Sequence, residues 1–214
     1  MNSRHSAEAP CKFADRDAAL DTDPRSTFWQ EAPTTMMSDD AYGNKVAGHA
    51  TEIRCRWTVS NLYFLFVCPY QELHLKPKPV LDKPTGGLWN WDVAEAFIGS
   101  QHDPIDRYKE FELSPQGEWL DLDIDLKQAD KFALTSWNSD FQVAARIEHD
   151  QKIWYGSMRI PYGSIEAGEA RAGNLLRINF FRSQGTKPVE MAWQPPRQAS
   201  FHAPEQFGTL KLVL

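Results

Sequence analysis

Basic runs, long apolar stretches and cysteine are all scarce in these 214 residues. A net charge of −6 with no Lys/Arg-rich run excludes a nucleic-acid partner, whose phosphates require a concentrated basic footprint. The longest apolar run, Leu62 to Cys68, is far too short to cross a bilayer, which excludes a spanning helix and any membrane role built on one. Three cysteines, Cys11, Cys55 and Cys68, leave at least one thiol without an internal partner. With Ser60-Asn61 as the turn of a hairpin, Cys55 faces Phe66 and Cys68 lies diagonally across. That is a poor distance for a bridge, so buried free thiols are expected. The opening Met1-Asn2-Ser3-Arg4-His5-Ser6 has no apolar core of the signal-peptide kind, which predicts an intracellular chain or one already stripped of a leader.

Catalytic and metal signatures are equally sparse. The six histidines (His5, His49, His74, His102, His149 and His202) include no His-x-x-x-His pair, so zinc is unsupported. There is no Gly-x-Ser-x-Gly nucleophile turn and no Cys-x-x-Cys-His haem attachment. Internal repeats and low-complexity tracts are absent too.

What remains is a chain of short alternating segments. Leu120, Leu122, Ile124 and Leu126 alternate with Trp119, Asp121, Asp123 and Asp125, the period of two that places one face in a core and the other in water. Arg107 to Leu113 sets Tyr108, Glu110 and Glu112 on one side and Lys109, Phe111 and Leu113 on the other, with Ser114-Pro115-Gln116-Gly117 as the turn that follows. Thr51 to Val59 and Leu62 to Tyr70 form a hairpin with Ile53, Cys55, Trp57 and Val59 inward and Arg54, Arg56 and Thr58 outward. Further strands are expected at 141–148, 152–160, 175–182 and 208–214. One helical turn or short helix fits 162–170. Residues 71–88 and 183–206 read as long loops, and 1–19 as an irregular N-terminal arm before a single domain over 20–214. The expected fold is an all-β antiparallel β-sandwich of immunoglobulin or jelly-roll type with at most one short helix.

Eight Trp, twelve Phe and six Tyr exceed what a core of this size needs, so some aromatic rings should work at a surface. Several stretches in order, Asp92-Val93-Ala94-Glu95-Ala96-Phe97, Tyr108 to Gly117, Trp154 with Ile160-Pro161-Tyr162, Asn179-Phe180-Phe181-Arg182, Trp193-Gln194-Pro195 and Phe201 to Gly208, resemble the family 9 carbohydrate-binding modules. The similarity runs from about residue 20 to the C-terminus. It implies a sandwich that holds a mono- or oligosaccharide between aromatic rings, commonly with structural calcium, in a secreted or periplasmic setting and in one pathway with glycoside hydrolases. Within these 214 residues no catalytic module is expected beside the domain, which departs from the family's usual role of targeting an attached glycoside hydrolase. The wider superfamily includes haem-binding relatives, which leaves a His/Met haem domain, or a degenerate protein-interaction module, as alternatives.

A sugar ring has an apolar C–H face and a rim of hydroxyls, so its site needs flat aromatic platforms beside fixed hydrogen-bonding groups. Trp89, Trp91 and Trp193 are the candidate platforms. Asp92, Glu110, Arg177, Asn179 and Arg182 are the candidate polar partners, Arg offering forked donors. Asp121 and Asp123 are the candidate calcium ligands, although alternate strand residues lie roughly 6.5 to 7 Å apart and would need help from loops or a neighbouring strand. Glu95, Glu110 and Glu112 carry the carboxylates that glycoside hydrolysis uses in pairs. The expectation is nonetheless binding without catalysis.

Overall fold

Short runs of alternating residues closed by turns become thirteen strands in the computed structural model, which describes residues 7–130, 132 and 137–214. They are β1 (Glu8–Phe13), β2 (Thr34–Met37), β3 (Asp39–Asp40), β4 (Thr51–Trp57), β5 (Asn61–Pro69), β6 (Val93–Ser100) and β7 (Arg107–Leu113). After them come β8 (Trp119–Asp125), β9 (Gln142–Glu148), β10 (Ile153–Pro161), β11 (Leu175–Gln184), β12 (Val189–Ala192) and β13 (Gly208–Val213). The described helical structure is one turn, α1 (Thr27–Gln30), and three 3-10 turns, one of them at Tyr162–Ser164 where a short helix was an option.

The fold is all-β, as expected, but the strands make one nearly closed sheet in the order β8-β7-β6-β11-β13-β1-β4-β5-β10-β9. β1 completes that path. It pairs parallel with both β13 and β4, which corrects the reading of residues 8–13 as irregular; residues 1–6, and His5 with them, lie outside the described residues. At the two ends of the path Trp119 of β8 meets Phe141, just before β9, with ring centroids 5.6 Å apart.

Curling creates an inner and an outer face. Inside, Phe64 and Phe66 of β5 meet Phe180 of β11 edge-on at 5.4 and 5.9 Å, although three strands separate β5 from β11 along the sheet. Cys11, Cys55 and Cys68 are buried free thiols of this core. A smaller apolar cluster, including Val93, Phe97, Tyr108, Leu120, Leu122, Ile124 and Phe181, lies on the outer face.

Two local expectations are corrected. The β4–β5 register pairs Cys55 with Phe64, because Thr58 N–H bonds Asn61 O and the turn sits one residue earlier, leaving Val59 exposed. Arg56 is buried and donates to the Phe28 and Phe13 carbonyls, so the outward-facing row of this hairpin is covered at its end by 13–28. Close backbone approach fixes one glycine: a Cβ at Gly208 would lie 2.4 Å from the Trp193 ring and 2.7 Å from the Ala7 carbonyl oxygen. Gly208→Ala should therefore lower stability by about 1 to 3 kcal/mol, read as a lower midpoint in chemical denaturation; an unchanged midpoint would refute this packing.

Candidate functional site

On the outer face, β7, β6, β11 and β12 lie side by side and their registers align acidic residues across the sheet. Glu112 of β7 is directly opposite Glu95 of β6, and Glu110 is opposite Phe97. Beyond them Phe181 of β11 faces Glu95, and Ser183 faces Glu190 of β12, donating to its Oε1 at 3.2 Å. Strand alternation puts these side chains on one face, and the chain then covers part of that face with the 199–202 segment.

The result is a cavity of about 490 Å³ with Glu95, Glu110 and Glu190 in its lining. Its aromatic lining comes from four separate places: Trp89, Phe97, Phe132 and Phe201. Trp89 is presented by a 3-10 turn that starts after left-handed Gly87 (φ 73°), which buries Leu88 and leaves Trp89 39 % exposed. Phe132 lies 6.2 Å from it. His202 joins the ring set, 4.5 Å from Phe132 and 5.2 Å from Phe97, and its Nδ1 shares a hydrogen bond with the Tyr108 hydroxyl. Phe201 is stacked on Phe181 at 4.2 Å.

Burial dominates the electrostatics of the floor. Glu110 is pushed up to about 7, chiefly by desolvation, with a hydrogen bond to Glu112 acting in the other direction. Glu95 is raised by burial first and then by the charges of Glu110 and Glu190; Glu112 is raised by burial and then by Glu95 and Glu110. Burial raises Glu190 as well, and the Tyr108 hydroxyl is raised by burial and then by nearby Glu110. The site is therefore a row of carboxyl groups that resist carrying their charges together.

Of the residues that sequence reasoning singled out, Trp89 and Glu110 meet in this cavity. The others have structural settings elsewhere. Trp91 packs on His74 at 4.5 Å, and Asp92 is buried, accepting from Gly185 N–H at 2.6 Å. Arg177 ties down the 100–107 turn through the carbonyls of Ser100, Pro104, Ile105 and Arg107. Asn179 bridges to the backbone of Gln194, and Trp193 packs on Phe180 and over Gly208. Arg182 is fully buried on the inner side, away from the outer face where the cavity lies. The eight residues therefore do not share one cavity, although the 71–91 and 183–206 loops both contribute to its lining, through Trp89 and through Phe201 and His202. Phe132, Phe201 and Glu190 were missed. Alternation along 92–97 could have placed Glu95 and Phe97 together, but no sequence signal ties 132 or 201 to them.

Residues 20–214 match the carbohydrate family 9 binding domain-like family. The chain belongs to this family. Curated relatives include an extracellular protein of Arthroderma benhamiae, 27 % identical over 59 % of this chain and 63 % of that protein. A second is the human UPF0462 protein C4orf33, 26 % identical over 49 % of this chain and 46 % of that one. The matches thus span less than two thirds of either relative. Among solved structures, a candidate carbohydrate-binding protein of Bacteroides uniformis superposes with a TM-score of 0.77 at 17 % identity, covering 97 % of this chain and 99 % of that one. A family 9 module of Caldicellulosiruptor kristjanssonii, solved with cellotriose, gives 0.67 at 12 % identity over 97 % and 94 % of the two chains. A family 9 module of that organism solved with glucose gives 0.64 at 12 % identity, with 95 % of each chain covered. At these identities the structures establish the shared fold.

Two groups that family resemblance suggests can be tested against the side chains. Asp121 Oδ2 accepts from both the backbone N–H and the hydroxyl of Ser139, and Asp123 is paired with Lys109 at 2.6 Å. A cation site would have to displace these partners, so Asp121 and Asp123 do not fit calcium, and the burial of Asp121 corrects the expectation of a solvent-facing row. For haem, Met158 and Met191 are buried in the inner core, whereas His202 stands on the outer face, His102 pairs with Glu166 and His149 contacts Tyr70. No axial His/Met pair is formed by these residues.

Proposed function

We propose that this chain is a non-catalytic carbohydrate-binding domain and that the outer-face cavity is its sugar site. The observation that carries this reading is the combination of aromatic rings around the opening with carboxyl groups on the floor. Rings take the C–H face of a pyranose, and Glu95, Glu110, Glu190 and Ser200 take its hydroxyls. A volume of about 490 Å³ suits a monosaccharide or the end of a chain rather than a long polymer lying across the sheet. Family membership supports the reading, as do the family 9 modules of the same fold that hold glucose and cellotriose. The proposal keeps a setting outside the cytoplasm and glycoside hydrolases acting on the same glycans.

Titration with glucose, cellotriose and other soluble sugars while following Trp emission tests the site, since Trp89 sits at the cavity mouth. Saturable change is expected with at least one sugar class, and Trp89→Ala should weaken that binding about tenfold. Undiminished affinity in a folded Trp89→Ala protein would remove this cavity from the proposal. Release of reducing ends from a bound oligosaccharide would overturn the non-catalytic part.

A further inference from the structure

We propose that the cavity selects a cationic sugar, one carrying a free protonated amine such as a glucosamine residue, over its neutral counterpart. This rests on the sugar-binding reading of the same cavity and names the ligand class.

The charge balance of the lining points there. Glu95, Glu110 and Glu190 enter the cavity from three strands, and no Lys or Arg is found among its described lining residues. Glu95 of β6 and Tyr108 and Glu112 of β7 feel the charge of Glu110, Glu190 of β12 acts in turn on Glu95, and His202 and Glu205 stand against Tyr108. Four of these six are carboxyl groups.

Glu110 is only 3 % exposed, it lines the cavity, and its Oε2 has no hydrogen-bond partner. A buried acceptor left unpaired costs free energy until a donor arrives. A sugar hydroxyl brings one donor and no charge. An ammonium brings three donors and the positive charge that the carboxyl row lacks. The walls favour the same ligand, because the electron-rich rings of Trp89 and Phe132 line the cavity and attract a cation. A metal ion is a poorer match for this charge: among the described residues no group of three His, Cys, Asp or Glu side chains is arranged to hold one.

The test is a calorimetric titration of the whole chain near neutral pH with glucose, glucosamine, N-acetylglucosamine, cellotriose and the fully deacetylated chitosan trimer. Glucosamine should bind about tenfold more tightly than glucose, and the chitosan trimer more tightly than cellotriose by a similar factor. N-acetylation, which removes the charge, should abolish the gain. Added salt should weaken glucosamine more than glucose. Glu110→Gln should shrink the glucosamine-to-glucose preference severalfold, with thermal melting confirming that the variant is folded; should it not fold, the acetylation and salt comparisons decide alone. Neutral sugars bound as tightly as the amino sugars would overturn the inference and leave the carbohydrate reading standing. A folded chain that binds neither kind would overturn both.

Discussion

Replacing Arg182 by alanine is expected to destabilise the protein by about 3 to 5 kcal/mol, the combined cost of several lost buried hydrogen bonds and the void left by a large core side chain. The guanidinium is wholly buried on the inner face. It donates to Thr51 Oγ1 at 3.0 Å, Pro69 O at 2.7 Å and Gln184 Oε1 at 2.6 Å, with a longer bond to His49 O at 3.4 Å, and stands 6.0 Å from the Trp154 ring centroid. Alanine would remove the buried donor that Pro69 O and Gln184 Oε1 share and open a void in the core, while the His49 carbonyl would keep its bond from the Thr51 hydroxyl. Arg182→Lys should recover only part of the loss, since one ammonium cannot reproduce a planar fork that serves several acceptors at once. Denaturant midpoints with unchanged m-values measure the effect. A loss under about 1 kcal/mol would mean that the network is dispensable. Because Arg182 is remote from the outer face, the sugar affinity of whatever fraction stays folded should be unchanged, which separates a structural arginine from a ligand-binding one.

The same residue shows what a sequence can and cannot convey. Alternation in 175–182 set Leu176, Ile178 and Phe180 on one face, and Arg182 has their parity, so its inward position follows from the period of two. Chemistry, not periodicity, suggested a surface role. Tyr108, Glu110 and Glu112 do share a face as alternation implies, yet alternation does not say which side of a curled sheet is closed over. Here Leu120, Leu122 and Ile124 join the outer cluster with those glutamates, while Asp121 turns towards the other side and is capped by Ser139. β1 was illegible for another reason: six residues interrupted by Pro10 carry too little pattern, and their partners, Gly208–Val213 and Thr51–Trp57, lie far away in the chain. The cavity was the least legible feature. It is assembled by residues near 89, 132, 190 and 201, which only the closed topology brings together.

The second large effect follows from the carboxyl row: stability should fall as pH rises from about 4.5 towards 8, and Glu112→Gln should remove part of that fall. Folded-state values of Glu95, Glu110 and Glu112 are all raised, by burial first. The folded protein therefore holds protons that the unfolded chain releases. Stability from these groups is fully present below the ordinary glutamate range and is lost as pH climbs through the folded values, for Glu110 between its reference value of 4.5 and about 7. A shift of that size on a fully buried group corresponds to roughly 3 kcal/mol for Glu110 alone. Asp17 and Asp40 are lowered and lose their contributions only at more acidic pH, so they leave this window alone. Glu112 is fully buried, Glu95 lies directly opposite and Glu110 is its neighbour on the same face, which makes it the member whose charge is most costly. Glu112→Gln keeps the shape and deletes the ionisation. Near pH 8 the variant should exceed the wild type by roughly 1 to 3 kcal/mol, and near pH 4.5 the two should converge. Denaturation midpoints across this range decide it: a flat wild-type profile, or a variant weaker than wild type at the alkaline end, would show that the row is hydrated and ionised rather than dry. A dry row that tolerates charge only with a cation present is the same physical condition on which the selectivity for amino sugars depends.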